Sequence, residues 1–188
     1  ATLVYFPVAA WVWGGGWIME LGTALGLPDV IDYAGGTAVH INAGAAALAL
    51  SIVLGKRFGF SKGIMQPHSV PLVLLGAALL WFGWFGFNVG AEAFNSLANA
   101  GLITINTLGA TAAAILGWMV VEKFKEGKAT SVGAASGAVA GLVAITPACA
   151  NVTPGFALLL GVIAGAISAY AIELKFKLGY DDSLDVVG

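Results

Sequence analysis

The sequence predicts an all-α polytopic membrane protein: a tight transmembrane helix bundle, forming one transmembrane domain over residues 1–188. Three observations carry that prediction. Only 10% of residues are charged and 59% are hydrophobic, against roughly 25% charged in a soluble domain, and the mean hydropathy is +0.92. Several apolar stretches reach the length of about 20 residues that a helix needs to cross a hydrocarbon core of ~30 Å. All eight Lys and Arg fall in connections on one side of the resulting map. The net charge of −2 says nothing about partners, because in a membrane chain the placement of charge matters more than its sum.

The elements follow in order. Residues 1–18 read as an incomplete helix, and full spans are predicted at 34–54, 70–91, 99–122, 131–150 and 155–174. Residues 181–188 read as the start of a further helix. Lys56, Arg57 and Lys62 follow the second segment, Lys123, Lys125 and Lys128 the fourth, and Lys175 and Lys177 the sixth. The opposite side holds only Glu20, Asp29, Asp32 and Glu92. By the positive-inside rule the basic loops are cytoplasmic, in a multi-pass protein of the cell (inner) membrane. The apolar opening has no basic n-region or cleavage signature, and the chain stops where another helix would begin. Both ends read as cuts in a longer protein.

Glycine is patterned. Gly133, Gly137 and Gly141 recur every four residues, as do Gly161 and Gly165, and such ridges let transmembrane helices cross closely. Asp32-Tyr-Ala-Gly35 and Asp185-Val-Val-Gly188 open helices on opposite faces, as an inverted-topology repeat would. Both aspartates are equally ordinary N-caps, so these residues leave the repeat open.

His40 is the residue that points to chemistry. At ~1.5 Å per residue from Gly35 its ring lies roughly 8 Å below the surface, where a titratable group is costly without a partner or a cavity. Positions 36, 37, 40, 43, 44 and 47 are Gly, Thr, His, Ala, Gly and Ala, a face of small residues that lets a helix or a narrow lumen approach the ring. The bland alternative is a buried histidine bonded to a neighbouring carbonyl. The run Trp81-Phe-Gly-Trp-Phe-Gly-Phe-Asn88 places Leu80, Trp84, Phe87, Asn88 and Ala91 on one helical face at the outer side. It reads either as an interfacial aromatic belt or as a cation-attracting face, to which Trp13 could add a ring. Asp32 reads first as a cap on a helix beginning at Tyr33, with Thr37 and the free N–H groups as partners. His68, before Pro71, reads as solvated.

Catalysis is not expected. There is no HExxH, Ser136-Gly137 lacks the preceding glycine of a nucleophile elbow, and two histidines with one cysteine do not make a metal site. The single cysteine, Cys149, excludes an internal disulfide.

The motifs Asp32-Tyr-Ala-Gly-Gly-Thr-Ala-Val-His40-Ile-Asn-Ala-Gly, Gly55-Lys-Arg, Pro67-His68, Gly83-Trp-Phe-Gly-Phe-Asn88, Ala113-Ala-Ile-Leu-Gly-Trp118, Gly141-Leu-Val-Ala-Ile-Thr-Pro-Ala-Cys149 and Asp181-Asp-Ser-Leu-Asp-Val-Val-Gly188 resemble the ammonium transporter (Amt/Mep/Rh) family, in its Amt branch. The resemblance runs in order over essentially the whole chain. It implies an eleven-helix inverted-repeat ammonium transporter fold, of which this chain holds roughly the fourth to ninth transmembrane helices. Trp13, Phe87 and Ala91 then match the outer cation-recruitment positions, His40 the first of two pore histidines, Leu80, Trp84 and Asn88 the pore lining, and Asp32 with Thr37 the support of the His40 helix. Ala91 stands where the family usually has a serine.

The implied function is recruitment of ammonium at an aromatic vestibule and conduction of ammonia, with its proton, through a hydrophobic pore. The implied partners are ammonium or ammonia as substrate, a homotrimer, the lipid bilayer and a cytoplasmic nitrogen-regulatory signal-transduction protein. No cofactor, metal or nucleic acid is implied. The alternatives are an ammonium sensor on the same scaffold and a Rh-like ammonia gas channel.

Overall fold

The computed structural model describes residues 1–60, 67–92 and 96–188, and every regular element among them is helical. Helix α1 (Tyr5–Trp13) stops at Gly14 rather than near residue 18. The glycine triplet that follows ends it, with Gly15 at φ +77°, a conformation that only glycine adopts without strain. The short α2 (Leu21–Ala24) leads to a π-helical turn, Gly36–Ile41, which runs directly into α3 (Asn42–Leu54). Then come α4 (Val70–Glu92), α5 (Ala100–Glu126), α6 (Ser131–Ile145), a 3₁₀ turn (Thr146–Ala148), α7 (Pro154–Ala171) and α8 (Leu174–Leu178). Among the described residues five stretches are long and apolar enough to cross a membrane: Gly36–Leu54, Val70–Glu92, Ala100–Glu126, Ser131–Ala148 and Pro154–Leu178.

Local chemistry sets the ends. α5 continues past residue 122 because Glu122-Lys-Phe-Lys-Glu126 contains no helix breaker. It stops at Gly127, which takes φ +81° and donates its N–H to the Lys123 carbonyl. Thr130 caps α6, its hydroxyl oxygen accepting from the Gly133 N–H at 2.9 Å. The Glu122 carboxylate takes the Thr130 N–H and O–H, both at 2.7 Å. α6 gives way at Thr146-Pro147, since proline brings no N–H to the ladder.

The core is α5 packed against α6 and α7. At Gly117, Gly161 and Gly165 an added Cβ would overlap the backbone of Val162, Ala110 and Ala114 respectively, and at Gly141 it would fall 2.6 Å from the Ala114 Cβ. These helices touch backbone to backbone, as the glycine ridges require. Gly133 differs from the rest of its ridge: it makes room for the Glu122 carboxylate of α5, not for that helix's backbone. Large apolar side chains point away from this core, among them Leu79 and Phe82 of α4 and Val53 and Leu54 of α3. Such surface suits hydrocarbon or further helices, not water.

At one end the connections after α3, α5 and α7 meet. Arg57 grips Asp181 through its backbone N–H, its Nε–H and one terminal guanidinium N–H, at 2.7–2.8 Å. Phe60 stacks on Phe176, and Lys125 pairs with Glu173 while lying 4.6 Å over the Tyr170 ring. Lys62 lies outside the described residues.

Residues 181–188 are not helical. Asp182 accepts the Val187 N–H at 2.7 Å, Lys175 pairs with Asp185, and Asp185 itself takes φ +58°. Residues Asp32–Gly35, which share the Asp-x-x-Gly pattern, are likewise outside the helix that follows them.

Candidate functional site

Asp32 organises the start of the histidine-bearing helix. Its Oδ1 accepts the N–H groups of Gly35 at 3.0 Å and Gly36 at 2.5 Å, and its Oδ2 those of Thr37 at 2.8 Å and Ala38 at 3.1 Å. A helix start leaves four N–H groups without intrahelical partners, and here one buried carboxylate takes four. The helix therefore begins at Gly36 and not at Tyr33, after Gly35 has turned the chain at φ +110°. Thr37 enters this arrangement through its backbone N–H. The same stretch is docked on the bundle by the Tyr33 N–H, which donates to the Pro147 carbonyl at 3.0 Å. Gly36 lies flat on the Pro147 ring, where a Cβ would come within 2.5 Å.

His40 sits in the π turn, not on a regular α-helical face as the spacing suggests. Its N–H reaches back five residues to the Gly35 carbonyl at 3.2 Å, while the Val39 N–H reaches the same oxygen at 2.9 Å. The half-buried imidazole stacks on Trp84, with centroids 5.1 Å apart and planes at 21°, and on Phe87 at 5.6 Å and 29°. Trp84 and Phe87 are 5.2 Å from each other, so the three rings form one cluster. His40 Nε2 is buried and makes no hydrogen bond within the chain.

A buried polar network holds this cluster from behind. The Trp84 indole N–H donates to Thr146 Oγ1 at 2.8 Å, and Thr146 Oγ1 lies 3.3 Å from Asn88 Oδ1. Asn88 Nδ2 donates to Thr107 Oγ1 at 3.0 Å. Asn88, Thr107 and Thr146 are fully buried, and in low dielectric a satisfied network of this kind is rigid.

The remaining expected site residues are placed as follows. Trp13 donates its indole N–H to the Asp32 carbonyl at 2.8 Å, so it is tied to the start of the His40 helix. Leu80, half exposed, lies one turn before Trp84 on α4. Ala91, one turn beyond Phe87, packs with Tyr33 against a cluster that includes Ala34, Ile103 and Cys149. The structure thus gathers Trp84 and Phe87 around His40, places Asn88 in the buried network behind Trp84, holds Trp13 through Asp32, and gives Ala91 a different set of neighbours. Sequence reasoning missed Thr107 and Thr146 as network members and the burial of Glu92, which is 1% exposed. The available signal was their type: polar residues inside or at the end of apolar spans.

The chain matches the family model described as Ammonium Transporter Family over residues 1–188. An ammonium transporter of Mycobacterium tuberculosis (strain H37Rv) is 58% identical over 197 residues, covering 100% of this chain and 40% of that protein. One from Bacillus subtilis is 50% identical, covering 100% of this chain and 44% of that protein. The crystal structure of Candida albicans Mep2 superposes with a TM-score of 0.87 at 42% identity, covering 99% of this chain and 40% of that one. A structure named Sensor Amt Protein gives a TM-score of 0.83 at 32% identity, covering 98% of this chain and 47% of that one. The chain spans less than half the length of these relatives. They are named as transporters or as a sensor, not as enzymes.

Proposed function

Because the chain belongs to the ammonium transporter family, we propose that it forms the histidine-bearing part of an ammonium pore. Ammonium is recruited at the outer aromatic face of Trp13 and Phe87, gives up its proton, and passes as ammonia along Leu80 and Trp84 past His40, with Asn88 bracing Trp84 from behind through Thr146. The observation that carries this reading is the buried, unbonded Nε2 of His40, held against Trp84 and Phe87. A ring nitrogen without a hydrogen-bond partner in the chain is free to share a proton with a passing molecule. Passage as a neutral molecule avoids most of the cost of carrying a charge through low dielectric, and the ring faces can attract the cation before it is neutralised. Asp32 acts one step removed, by holding the backbone that aims the imidazole.

The family's homotrimer, the cell (inner) membrane with cytoplasmic basic loops, and a cytoplasmic nitrogen-regulatory partner belong to the same proposal. A sensor on this scaffold remains the second reading, raised by the 32% identical sensor structure. The 58% identity to a named transporter favours transport. In the whole protein, His40→Leu is expected to reduce ammonium-evoked current in proteoliposomes sharply while leaving assembly intact. Wild-type currents from that variant would overturn the histidine pore.

A further inference from the structure

A cation is drawn to the face of an aromatic ring, and a hydrogen-bonding group on the ring's edge plays no part in that attraction. The indole of Trp13 nonetheless uses its N–H, and uses it inward. It donates to the Asp32 backbone carbonyl at 2.8 Å, while the residue as a whole stays 44% exposed. A phenylalanine at this position would offer a face without that bond. The N–H therefore has a purpose other than recruitment.

Asp32 passes the contact on. Its carbonyl meets Trp13, and its carboxylate takes the N–H groups of Gly35, Gly36, Thr37 and Ala38. The same indole also reaches Gly35 directly. A Cβ on Gly35 would lie 3.3 Å from Trp13 Cη2 and 2.8 Å from Val39 Cγ2. The ring edge thus covers the side on which any other residue would carry its side chain, at the residue that turns the chain into the π turn. The Gly35 carbonyl in turn accepts the N–H groups of Val39, at 2.9 Å, and His40, at 3.2 Å. One oxygen shared by donors four and five residues on stands between α and π winding. Which winding prevails decides where the imidazole points. The end of α6 holds this stretch through Pro147, which accepts the Tyr33 N–H and carries Gly36 on its ring. Trp13 is the hold that α1 supplies.

We infer that Trp13 is a positioning residue for His40: through the Asp32 carbonyl and the bare side of Gly35, its indole fixes the π turn that presents the imidazole to Trp84 and Phe87. The inference rests on the transport reading above and gives the vestibule ring a second, separable role. The face of the indole acts on the entering cation, and its N–H acts on the proton-sharing ring beyond.

Two tryptophan analogues of similar size separate these roles in the whole protein. Benzothienylalanine in place of Trp13 exchanges the N–H for sulfur and keeps the face. Tetrafluorotryptophan keeps the N–H and withdraws electron density from the face. Each protein is read for ammonium-evoked current against concentration in proteoliposomes, and for amide hydrogen exchange. The benzothienyl protein is expected to lose about tenfold in maximal current with half-saturation kept within about twofold. Its amides from Gly35 to His40 are expected to exchange faster, as a loosened turn opens more often. The tetrafluoro protein is expected to show raised half-saturation with parental exchange. Parental maximal current in the benzothienyl protein overturns the inference, whatever its exchange. So does a raised half-saturation as its only change, which would leave Trp13 a vestibule ring alone. If the parent carries no ammonium-evoked current, the transport reading falls. Faster exchange confined to the benzothienyl protein then still upholds the hold on the His40 turn, and equal exchange removes it.

Discussion

Thr146 Oγ1 accepts the indole N–H of Trp84 at 2.8 Å, linking residues 62 positions apart in the chain. Its own O–H is shared between the Leu142 carbonyl at 2.7 Å and Asn88 Oδ1 at 3.3 Å. Thr146→Val keeps the shape and removes the acceptor, leaving a buried indole N–H unpaired at a cost of about 1–3 kcal/mol. The variant is expected to melt several degrees below the parent and to show altered Trp84 fluorescence, with Thr146→Ser restoring both. A valine variant that matches the parent in both readouts would mean that Trp84 is held by its stacking alone.

Asp32→Asn tests the cap. The amide retains one oxygen for two of the four N–H groups and turns an NH₂ toward the other pair. Hydrogen bonds to a charged group contribute about 1.5–3 kcal/mol each, so the loss is expected to be about 3 kcal/mol or more. Amide hydrogen exchange should speed up between Gly35 and Ala38, and the His40–Trp84 stack should loosen with it. Unchanged exchange at those amides would show that the π turn holds without the carboxylate.

Acid should release the tether between Arg57 and Asp181. The Arg57 guanidinium beside Asp181 holds that carboxyl below its usual range, mainly through their hydrogen bond. A depressed native value means that the stabilisation is complete above the ordinary carboxylate pKa of about 3.9. It is lost as pH falls through the lower native value. Protection of the Arg57 amide, which donates to Asp181 at 2.7 Å, is therefore expected to persist through pH 5 and to disappear only in stronger acid. Loss of protection between about pH 7 and 5, where histidine titrates, would point to a different tether.

The long apolar spans were legible because hydropathy needs no knowledge of neighbours. The same holds for the ridge of Gly161 and Gly165, whose four-residue spacing survives in the contact with Ala110 and Ala114. Partner choice was not legible. Asn106 bonds to carbonyls 43 and 46 residues away, and no periodicity in α5 says which loop will arrive there. Glu92 looked like one more charge on the outer side, but its burial depends on Asn99, across a connection that composition alone leaves undirected. The π turn was hidden for another reason: Gly36-Thr-Ala-Val-His-Ile41 suits an α-helix equally well. The wider path is set by Gly35 and by the reach of the Asp32 carboxylate.

That π turn has a consequence for chain length. A π turn amounts to one residue of slack wound into an α-helix. Deleting any single residue between Gly36 and Val39 would let the helix relax to its ordinary form, and would swing everything on one side of the deletion by roughly 100° about the axis. The imidazole would leave the Trp84 and Phe87 rings, or Asp32 would leave its four amides. Chain length between Asp32 and His40 is therefore as much a part of this geometry as the residues that fill it. An exchange at Thr37, whose part here is played by its backbone N–H, leaves that count intact; an insertion or deletion does not.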